Sequence, residues 1–230
     1  MPDSSKAKRN PAEPARVLIL DDQPIVRERL GQLIAAEPDL TVCGEADDAR
    51  HAVQLIATTR PTLVITSLSL KHSHGLDFIK DLHAAHPALL ILVFSFYDEL
   101  TYAERAIKAG ARGFISTHEP TKELMRAVRV VLSGEVYLSE KVTVTKVTRF
   151  FSRSSNTPSC PVESLSDREL QVLQLVGHGQ STSQVARALH LDVKTVETYR
   201  ARIKVKLKLD TGAELTQHAR QWLEQTTRRN

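Results

Sequence analysis

Acidic and hydroxyl side chains directly follow four short apolar runs in the first half of the sequence. Asp21 and Asp22 follow the first run, Ser67 and Ser95 follow two later ones, and Thr117 lies just past the last. If these runs are parallel strands, their carboxyl ends form the sheet edge at which open α/β proteins bind ligands. Carboxylates are ligands for Mg²⁺, whereas a serine hydroxyl is a weak nucleophile without an adjacent base. These residues form the first candidate site.

The pattern along residues 16–134 predicts the sheet that would bring this site together. Short all-apolar runs are typical of strands buried on both faces of a parallel sheet, and the segments between them have helical spacing. The predicted strands are 17–20, 40–44, 63–66, 89–94 and 112–115, and the predicted helices are 25–36, 49–58, 76–85, 100–109 and 121–132. This alternation predicts a doubly wound α/β domain with a parallel sheet.

The composition excludes several classes of protein. Nine Gly and ten Pro in 230 residues exclude a collagen-like chain, and 41% hydrophobic residues exclude wholesale disorder. The two cysteines, Cys43 and Cys160, cannot form a disulfide framework, which fits a reducing compartment. No apolar run approaches the length of a membrane span, and the first residues lack the apolar stretch of a signal peptide. We therefore expect a cytoplasmic protein without membrane association.

Charge and composition divide the chain into four segments. We predict a disordered leader at 1–15, the α/β domain at 16–134, a linker at 135–163 and a helical domain at 164–230. The last segment holds 11 Lys and Arg against 7 Asp and Glu, whereas the first 138 residues hold 16 against 18. The positive excess of the helical domain suggests a polyanionic partner.

Capping signals place four helices in this last segment. Ser166 and Ser181 each begin a capping box, Asp192 is the predicted N-cap of a third helix, and Thr211 caps a fourth. A short helix, a tight connection and a longer helix, at about 184–203, predict a helix-turn-helix. The second helix of such a motif can lie in the major groove of double-stranded DNA.

The chemistry of the third helix suits this role. Its inward stripe is Val196, Tyr199, Ile203 and Leu207, and the residues that project away from it are Lys194, Glu197, Thr198 and Ala201. Basic side chains spaced by four flank the helix at Arg200, Lys204 and Lys208, and at Arg202 and Lys206. Cations at this spacing can neutralise phosphates, Glu197 can accept from a cytosine amine, and Thr198 or Ala201 can meet a thymine methyl. The alternative is that the charges form an ordinary solvated helix face.

The helical segment closely resembles the LuxR-type helix-turn-helix of NarL/FixJ response regulators. The matching positions include Leu165, Ser166, Arg168, Glu169, the run 194–197, Arg202, Lys206 and Leu207. The resemblance implies base contacts from Glu197, Thr198 and Ala201, phosphate contacts from Lys194, Tyr199, Arg202 and Lys206, and a homodimer formed through the last helix. It also adds Thr195 to the DNA-binding set. Tyr199 departs from the family, which usually has His there, although a phenol can still donate to phosphate.

The segments VLILDDQPIVRERL and GARGFISTHEP resemble the receiver domain of the same family, over residues 16–134. The resemblance implies a flavodoxin-like sheet with strand order 2-1-3-4-5. A working receiver needs a carboxylate nucleophile, a Mg²⁺ clamp, a hydroxyl and a lysine. Here Ser67 stands at the nucleophile position and Thr117 at the lysine position, and Lys71 and His72 replace the usual Pro-Gly.

These replacements predict a pseudo-receiver that does not accept a phosphoryl group. Asp21 and Asp22 would form only a partial, weak Mg²⁺ site, so we expect no tightly bound cofactor; the pair can instead cap the first helix. Phe114 occupies the family's aromatic switch position, and we expect it to be a half-buried core ring. The resemblance places the receiver's usual dimer face on the fourth helix with Tyr102, the fifth strand and the last receiver helix.

Two hypotheses about function remain. The first is a DNA-binding transcription regulator whose receiver works without phosphorylation. The second is an interaction protein whose receiver binds a kinase or another regulator. Nothing in the candidate pocket supports an enzyme, because it contains no catalytic triad, no Gly-rich phosphate loop and no zinc-ligand spacing.

Overall fold

The computed structural model describes residues 13–70, 73–151, 161–189 and 191–229. An α/β unit precedes a helical unit along the chain. The strands are β1 (Ala15–Leu20), β2 (Leu40–Ala46), β3 (Leu63–Thr66), β4 (Ser69–Leu70), β5 (Ser73–His74), β6 (Leu90–Ser95) and β7 (Gly113–Ser116). The helices of the α/β unit are α1 (Pro24–Ala35), α2 (Ala49–Thr59), α3 (Gly75–Ala85), α4 (Glu99–Ala109), α5 (Thr121–Leu132) and α6 (Glu140–Phe151).

The main sheet has the order β2-β1-β3-β6-β7, and all its strands are parallel. Counted along the sheet, this is the predicted order 2-1-3-4-5. The central strands are buried on both faces; every residue of β3, for example, is buried. Apolar side chains of the helices pack on each face in two layers, which is what continuous apolar strands require. The doubly wound α/β prediction is confirmed.

One boundary, at the start of this unit, and one short pair of strands differ from the prediction. Ala15, assigned to the leader, begins β1 and is fully buried, because its N–H donates to the Asp39 carbonyl at 2.8 Å and extends the pairing with β2. The rest of the predicted leader, residues 1–12, lies outside the described residues. The short antiparallel pair β4–β5, in the loop after Ser67, was not predicted from the sequence.

Helix α6 lies within the segment that was predicted to be a linker. Ser139 starts the helix: its Oγ accepts from Val142 N at 3.3 Å and donates to Glu99 Oε2 of α4 at 2.5 Å. Val142 is 1% exposed, and Lys146 forms an ion pair with Glu104 of α4. These long-range contacts fix the helix on α4. The Ser/Pro-rich part of the predicted linker, residues 152–160, lies outside the described residues.

The chain before α6 also protects the edge of the sheet. Tyr137 pairs with Gly113 of β7 in an isolated parallel bridge. Its N–H donates to the Arg112 carbonyl at 2.9 Å, and its carbonyl accepts from Phe114 N at 3.2 Å. Tyr137 therefore occupies hydrogen-bonding positions that β7, the last strand of the sheet, would otherwise present to solvent.

The helical unit begins with a 3-10 turn (Pro161–Ser164), followed by α7 (Asp167–Gly177), α8 (Thr182–Ala188), α9 (Val193–Leu207) and α10 (Gly212–Arg229). Both predicted capping boxes, at Ser166 and Ser181, are present. Asp192 accepts from Thr195 N at 2.9 Å and Thr211 from Glu214 N at 3.1 Å, as expected for N-caps. The predicted four-helix domain is confirmed, and α8 and α9 form its helix-turn-helix.

Candidate nucleic-acid interface and receiver pocket

The predicted pocket residues lie along the carboxyl edge of adjacent strands. Asp21 directly follows β1, Ser67 follows β3, Ser95 ends β6 and Thr117 follows β7. Backbone bonds hold them in line: Ser67 N donates to the Leu20 carbonyl at 3.0 Å, and Thr117 N to the Ser95 carbonyl at 3.0 Å. Asp21, Ser67 and Ser95 are buried, whereas Thr117 is exposed.

Asp21 is a buried carboxylate at this edge, 5% exposed. Its Oδ1 accepts from Gln23 N at 2.8 Å, just before α1. Asp21 thus stabilises the turn that leads into the helix, but α1 begins at Pro24 without a side-chain cap, so the expected capping by the acidic pair is not observed. Burial raises the pKa of Asp21 from 3.8 to about 6; the Gln23 bond opposes this shift, and the neighbouring charge of Asp22 adds to it. Among the described residues, Asp22 Oδ1 is buried without a hydrogen-bond partner. The carboxyl of Asp21 is therefore mostly ionised at neutral pH, and this buried negative charge lowers the stability of the native state.

We expect Asp21→Asn to increase the free energy of unfolding at neutral pH. The pKa of Asp21 is higher in the native state than in the unfolded state, so the protonated carboxyl stabilises the native state. This contribution is lost as the pH rises from about 4, the unfolded value, to about 6, the native value. The amide keeps an oxygen for Gln23 N and removes the charge. The gain is at most about 3 kcal/mol, at roughly 1.4 kcal/mol for each pKa unit.

Urea unfolding across this pH range measures the difference, with Asp81→Asn as the control because Asp81 is exposed. The pH dependence should flatten only in Asp21→Asn. A variant that is less stable than the wild type at neutral pH would contradict the assignment.

The hydroxyls of Ser67 and Ser95 contact the backbone of the turns that follow their strands. The Ser67 side chain is 4% exposed, and its Oγ accepts from Ser69 N at 3.1 Å. Ser95 Oγ similarly accepts from Tyr97 N at 3.3 Å. Both hydroxyls thus stabilise the turns that follow their strands. Nothing in these contacts activates Ser67 as a nucleophile.

Tyr97 is a pocket residue that the sequence analysis missed. Its phenol hydrogen-bonds the Ser69 side chain, and burial raises its pKa, with a further contribution from the charge of Asp22. The ring stacks on Tyr102, with centroids 5.0 Å apart. Tyr97 therefore links the loop after Ser67 to α4. No spacing in the sequence indicates this contact, because it depends on two loops meeting in space.

The donor set does not fit a receiver's Mg²⁺ clamp. The Ser67 hydroxyl stands where a receiver has a carboxylate, which leaves Asp21 and Asp22 as only a partial set of ionised oxygen ligands. Among the described residues, no group of three or more His, Cys, Asp or Glu side chains could hold a metal ion. No step of the mechanism is therefore assigned to a metal.

Two aromatic expectations need correction. Phe114 was expected to be half-buried, but it is 1% exposed, because β7 is covered on both faces by helices. Tyr102 was placed on the receiver's dimer face, but it is 3% exposed and stacks under Tyr97, so its ring cannot contact a partner directly. Both residues are part of the core in this structure.

The outer face of α9 is exposed as predicted. Helix positions advance by about 100° per residue, so positions 194, 197, 198, 201 and 205 share one face. These are Lys194, Glu197, Thr198, Ala201 and Val205, and all are exposed. Val205, 79% exposed, was not in the predicted set. Val196, Ile203 and Leu207 are buried on the opposite side, where α9 packs on α7 and α8.

Some members of the predicted DNA-binding set also have structural partners. Thr195 Oγ1 donates to Asp192 Oδ2 at 2.8 Å, so its hydroxyl belongs to the cap of α9. Lys206 Nζ lies 2.6 Å from Glu169 Oε2 and 3.2 Å from the Ser164 carbonyl. An ammonium group has three donors, which leaves one of them for a phosphate. Tyr199 is half-buried against the core, and Arg202 is exposed.

Comparison with known families agrees with this two-part architecture. The family model of the response regulator receiver domain matches residues 17–129, and that of bacterial regulatory proteins of the luxR family matches residues 163–219. The chain belongs to the LuxR-family response regulators. It is a DNA-binding response regulator, in a family of transcription regulators rather than enzymes.

Individual relatives match along most of the chain. Oxygen regulatory protein NreC from Staphylococcus epidermidis is 32% identical over 209 residues, which cover 89% of this chain and 96% of the relative. RcsB from Salmonella enterica serovar Typhimurium, solved bound to promoter rprA, shares the fold with a TM-score of 0.67 at 20% identity, covering 90% of this chain and 98% of RcsB. A LuxR-family response regulator from Aurantimonas sp. SI85-9A1 is similar at 29% identity over 60% of this chain and 99% of that one, with a TM-score of 0.57.

Within the described segments, no helix is both long and apolar enough to cross a bilayer.

Proposed function

We propose that this chain regulates transcription without phosphorylation of its receiver. The observation that carries the proposal is Ser67, a buried hydroxyl bound to the backbone at the position where the family has its nucleophilic carboxylate. The lysine position holds Thr117, which is neutral and exposed. A phosphoserine ester would also lack the lability of an acyl phosphate, which is what makes a receiver's switch reversible.

The proposed DNA contacts divide into two kinds. Glu197, Thr198 and Ala201, all exposed on α9, would read base edges in the major groove. A second group would contact the phosphate backbone: Lys194, Tyr199, Arg202 and Lys206. Thr195 would stabilise the N-terminal end of α9 that faces the DNA, through its bond to Asp192. Two copies joined through α10 would present two such helices, and RcsB, which shares the fold, is bound to promoter DNA in its own structure.

The phosphorylation proposal is tested by mass spectrometry of the intact protein after incubation with acetyl phosphate and Mg²⁺. We expect no added phosphoryl group, because Ser67 and Thr117 stand in place of the carboxylate nucleophile and the lysine that a receiver needs. The matched control is the double variant Ser67→Asp, Thr117→Lys, which restores both groups and should gain one phosphoryl group. Phosphorylation of the wild-type chain at Ser67, or a change in its DNA affinity with the donor, would contradict the proposal.

A second candidate function, binding of a protein partner by the receiver, is favoured by apolar exposure at the same sheet edge. Ile25 at the start of α1 is 70% exposed, and Phe96 after β6 is 43% exposed. Binding of such a partner, instead of phosphorylation, would then regulate the receiver. Replacing both side chains with serine would then change promoter output in cells without changing DNA affinity in vitro.

A further inference from the structure

The first turn of α7 places two oppositely charged side chains, Asp167 and Arg168, against the receiver. Asp167 Oδ1 accepts from Arg105 Nη1 of α4 at 2.6 Å. Arg168 Nη2 lies 2.8 Å from Asp77 Oδ2 of α3. The capping box at this helix end uses Ser166 and Glu169 and does not need either charge. Both members of this Asp167–Arg168 doublet therefore have ion-pair partners in the receiver.

The two ion pairs have opposite polarity. A receiver cation meets an anion of the helical domain, and a receiver anion meets its neighbouring cation, so a shifted arrangement would bring like charges together. Arg105 Nη2 also donates to the Leu165 carbonyl at 2.8 Å and to the Glu163 carbonyl at 3.4 Å, which gives the guanidinium three acceptors with Asp167. Because the planar guanidinium sets direction as well as distance, the contact selects one orientation of the two domains.

Apolar packing accompanies the ion pairs. Buried core residues of both domains belong to one continuous cluster, which includes Leu76 of α3 and Val162 of the 3-10 turn, each 3% exposed. Between the domains lies a cleft of about 460 Å³, with Trp222 of α10 on its wall. Both ion pairs are only partly buried. Ion pairs near the surface stabilise little by themselves, so the buried apolar side chains must supply most of the attraction while the charges set the geometry.

The docked arrangement leaves the outer face of α9 open. Lys194, Glu197, Thr198 and Ala201 are exposed with the receiver in place. The main contacts of α9 are with α7, α8, α10 and the 3-10 turn, all within its own domain. The receiver therefore holds the DNA-binding domain from the side of α7 and does not cover the helix that would enter the groove.

We propose that the Asp167–Arg168 doublet docks the DNA-binding domain onto α3 and α4 in a geometry that persists when DNA is bound. The receiver is then a fixed support for the DNA-binding domain, and docking is compatible with DNA binding. This inference rests on the proposed function, because it requires α9 to bind DNA. It also gives a receiver without phosphoryl chemistry a structural task.

Amide hydrogen exchange of the full chain tests the docking. Residues 161–170 and α3 should exchange slowly in the free protein and equally slowly with saturating DNA selected for binding. Arg105→Asp turns an attraction into a repulsion and should speed exchange in both segments on the order of tenfold. Adding Asp167→Arg to that variant reverses the pair and should restore protection. Arg112→Asp, the same charge change at an exposed receiver position, is the control.

The DNA affinity of the same variant shows whether docking is compatible with DNA binding or inhibits it. We expect the affinity of Arg105→Asp to equal that of the wild type or to be lower. A rise in affinity would mean that docking inhibits DNA binding, and loss of protection on DNA would mean that the domains separate; either result overturns this inference alone. Unchanged exchange in Arg105→Asp also overturns it. A wild-type chain that stays protected but binds no DNA overturns the proposed function and this inference together.

Discussion

Replacing Lys194 or Arg202 with alanine is expected to weaken binding to every DNA sequence by on the order of tenfold, because each would remove a phosphate contact. Both side chains are exposed on α9. Each lost contact should also reduce the slope of log affinity against log salt concentration by about 1. Fluorescence anisotropy at several salt concentrations measures both quantities. Lys80→Ala, which removes an exposed charge from α3 of the receiver, is the control and should change neither.

Glu197→Ala, on the same helix, is expected to change the base preference of the protein and not the salt dependence of its binding. A carboxylate that accepts from a cytosine amine would discriminate between bases, and its loss costs about 1–3 kcal/mol at the cognate sequence while leaving the salt slope unchanged. Selection of bound sequences from a random pool, for the wild type and the variant, shows whether one position of the site becomes degenerate. If all three variants lost affinity equally for all sequences, the division into base and phosphate contacts would be wrong.

The largest expected effect on stability comes from Phe114→Ala. The ring is 1% exposed and is among the largest fully buried side chains of the described residues. Truncating a buried Phe removes its burial energy and leaves a cavity, at a cost of about 3–5 kcal/mol. For a domain of this size that is a large part of the total stability.

Phe96→Ala is the matched control for this substitution, because the same ring is 43% exposed there. Urea unfolding followed by circular dichroism compares the two variants with the wild type. The control should lose less than about 1 kcal/mol, as surface substitutions usually do. An equal, small loss in both variants would show that Phe114 moves between buried and exposed positions, as a switch residue would.

The sequence predicted most of the elements because their signals are local. The apolar run 63–66 and the helix 121–132 match β3 and α5 to the residue, and the caps at Ser166, Ser181 and Asp192 identify three helix starts. Capping residues bind N–H groups only three positions away, so their spacing can be read without the fold.

Helix α6 was missed for the opposite reason. Its sequence alternates Val and Thr, which are weak helix formers with stiff side chains. Its helix start and its position depend instead on Ser139 and Lys146 meeting carboxylates of α4. Such contacts form only after the sheet has brought α4 into place, and no local pattern encodes them.

The candidate sites show the same division. The exposure of Lys194, Glu197, Thr198 and Ala201 follows from helical periodicity, and it was predicted. The ion pair of Lys206 with Glu169 and the bond between Tyr97 and Ser69 each join residues from different elements. The sequence shows that these residues are present and polar, but only the packing of the elements shows which of them meet.

The bridge between Tyr137 and Gly113 determines where the receiver can be cut from the rest of the chain. A fragment that stops at residue 134, the boundary predicted from the sequence, would remove Tyr137, leaving the N–H of Phe114 and the carbonyl of Arg112 in β7 without their partners. An open strand edge of this kind is a template on which identical molecules pair and aggregate. A fragment that continues through Phe151 keeps the edge closed and Ser139 on Glu99, so the smallest receiver suitable for crystallisation or NMR includes α6.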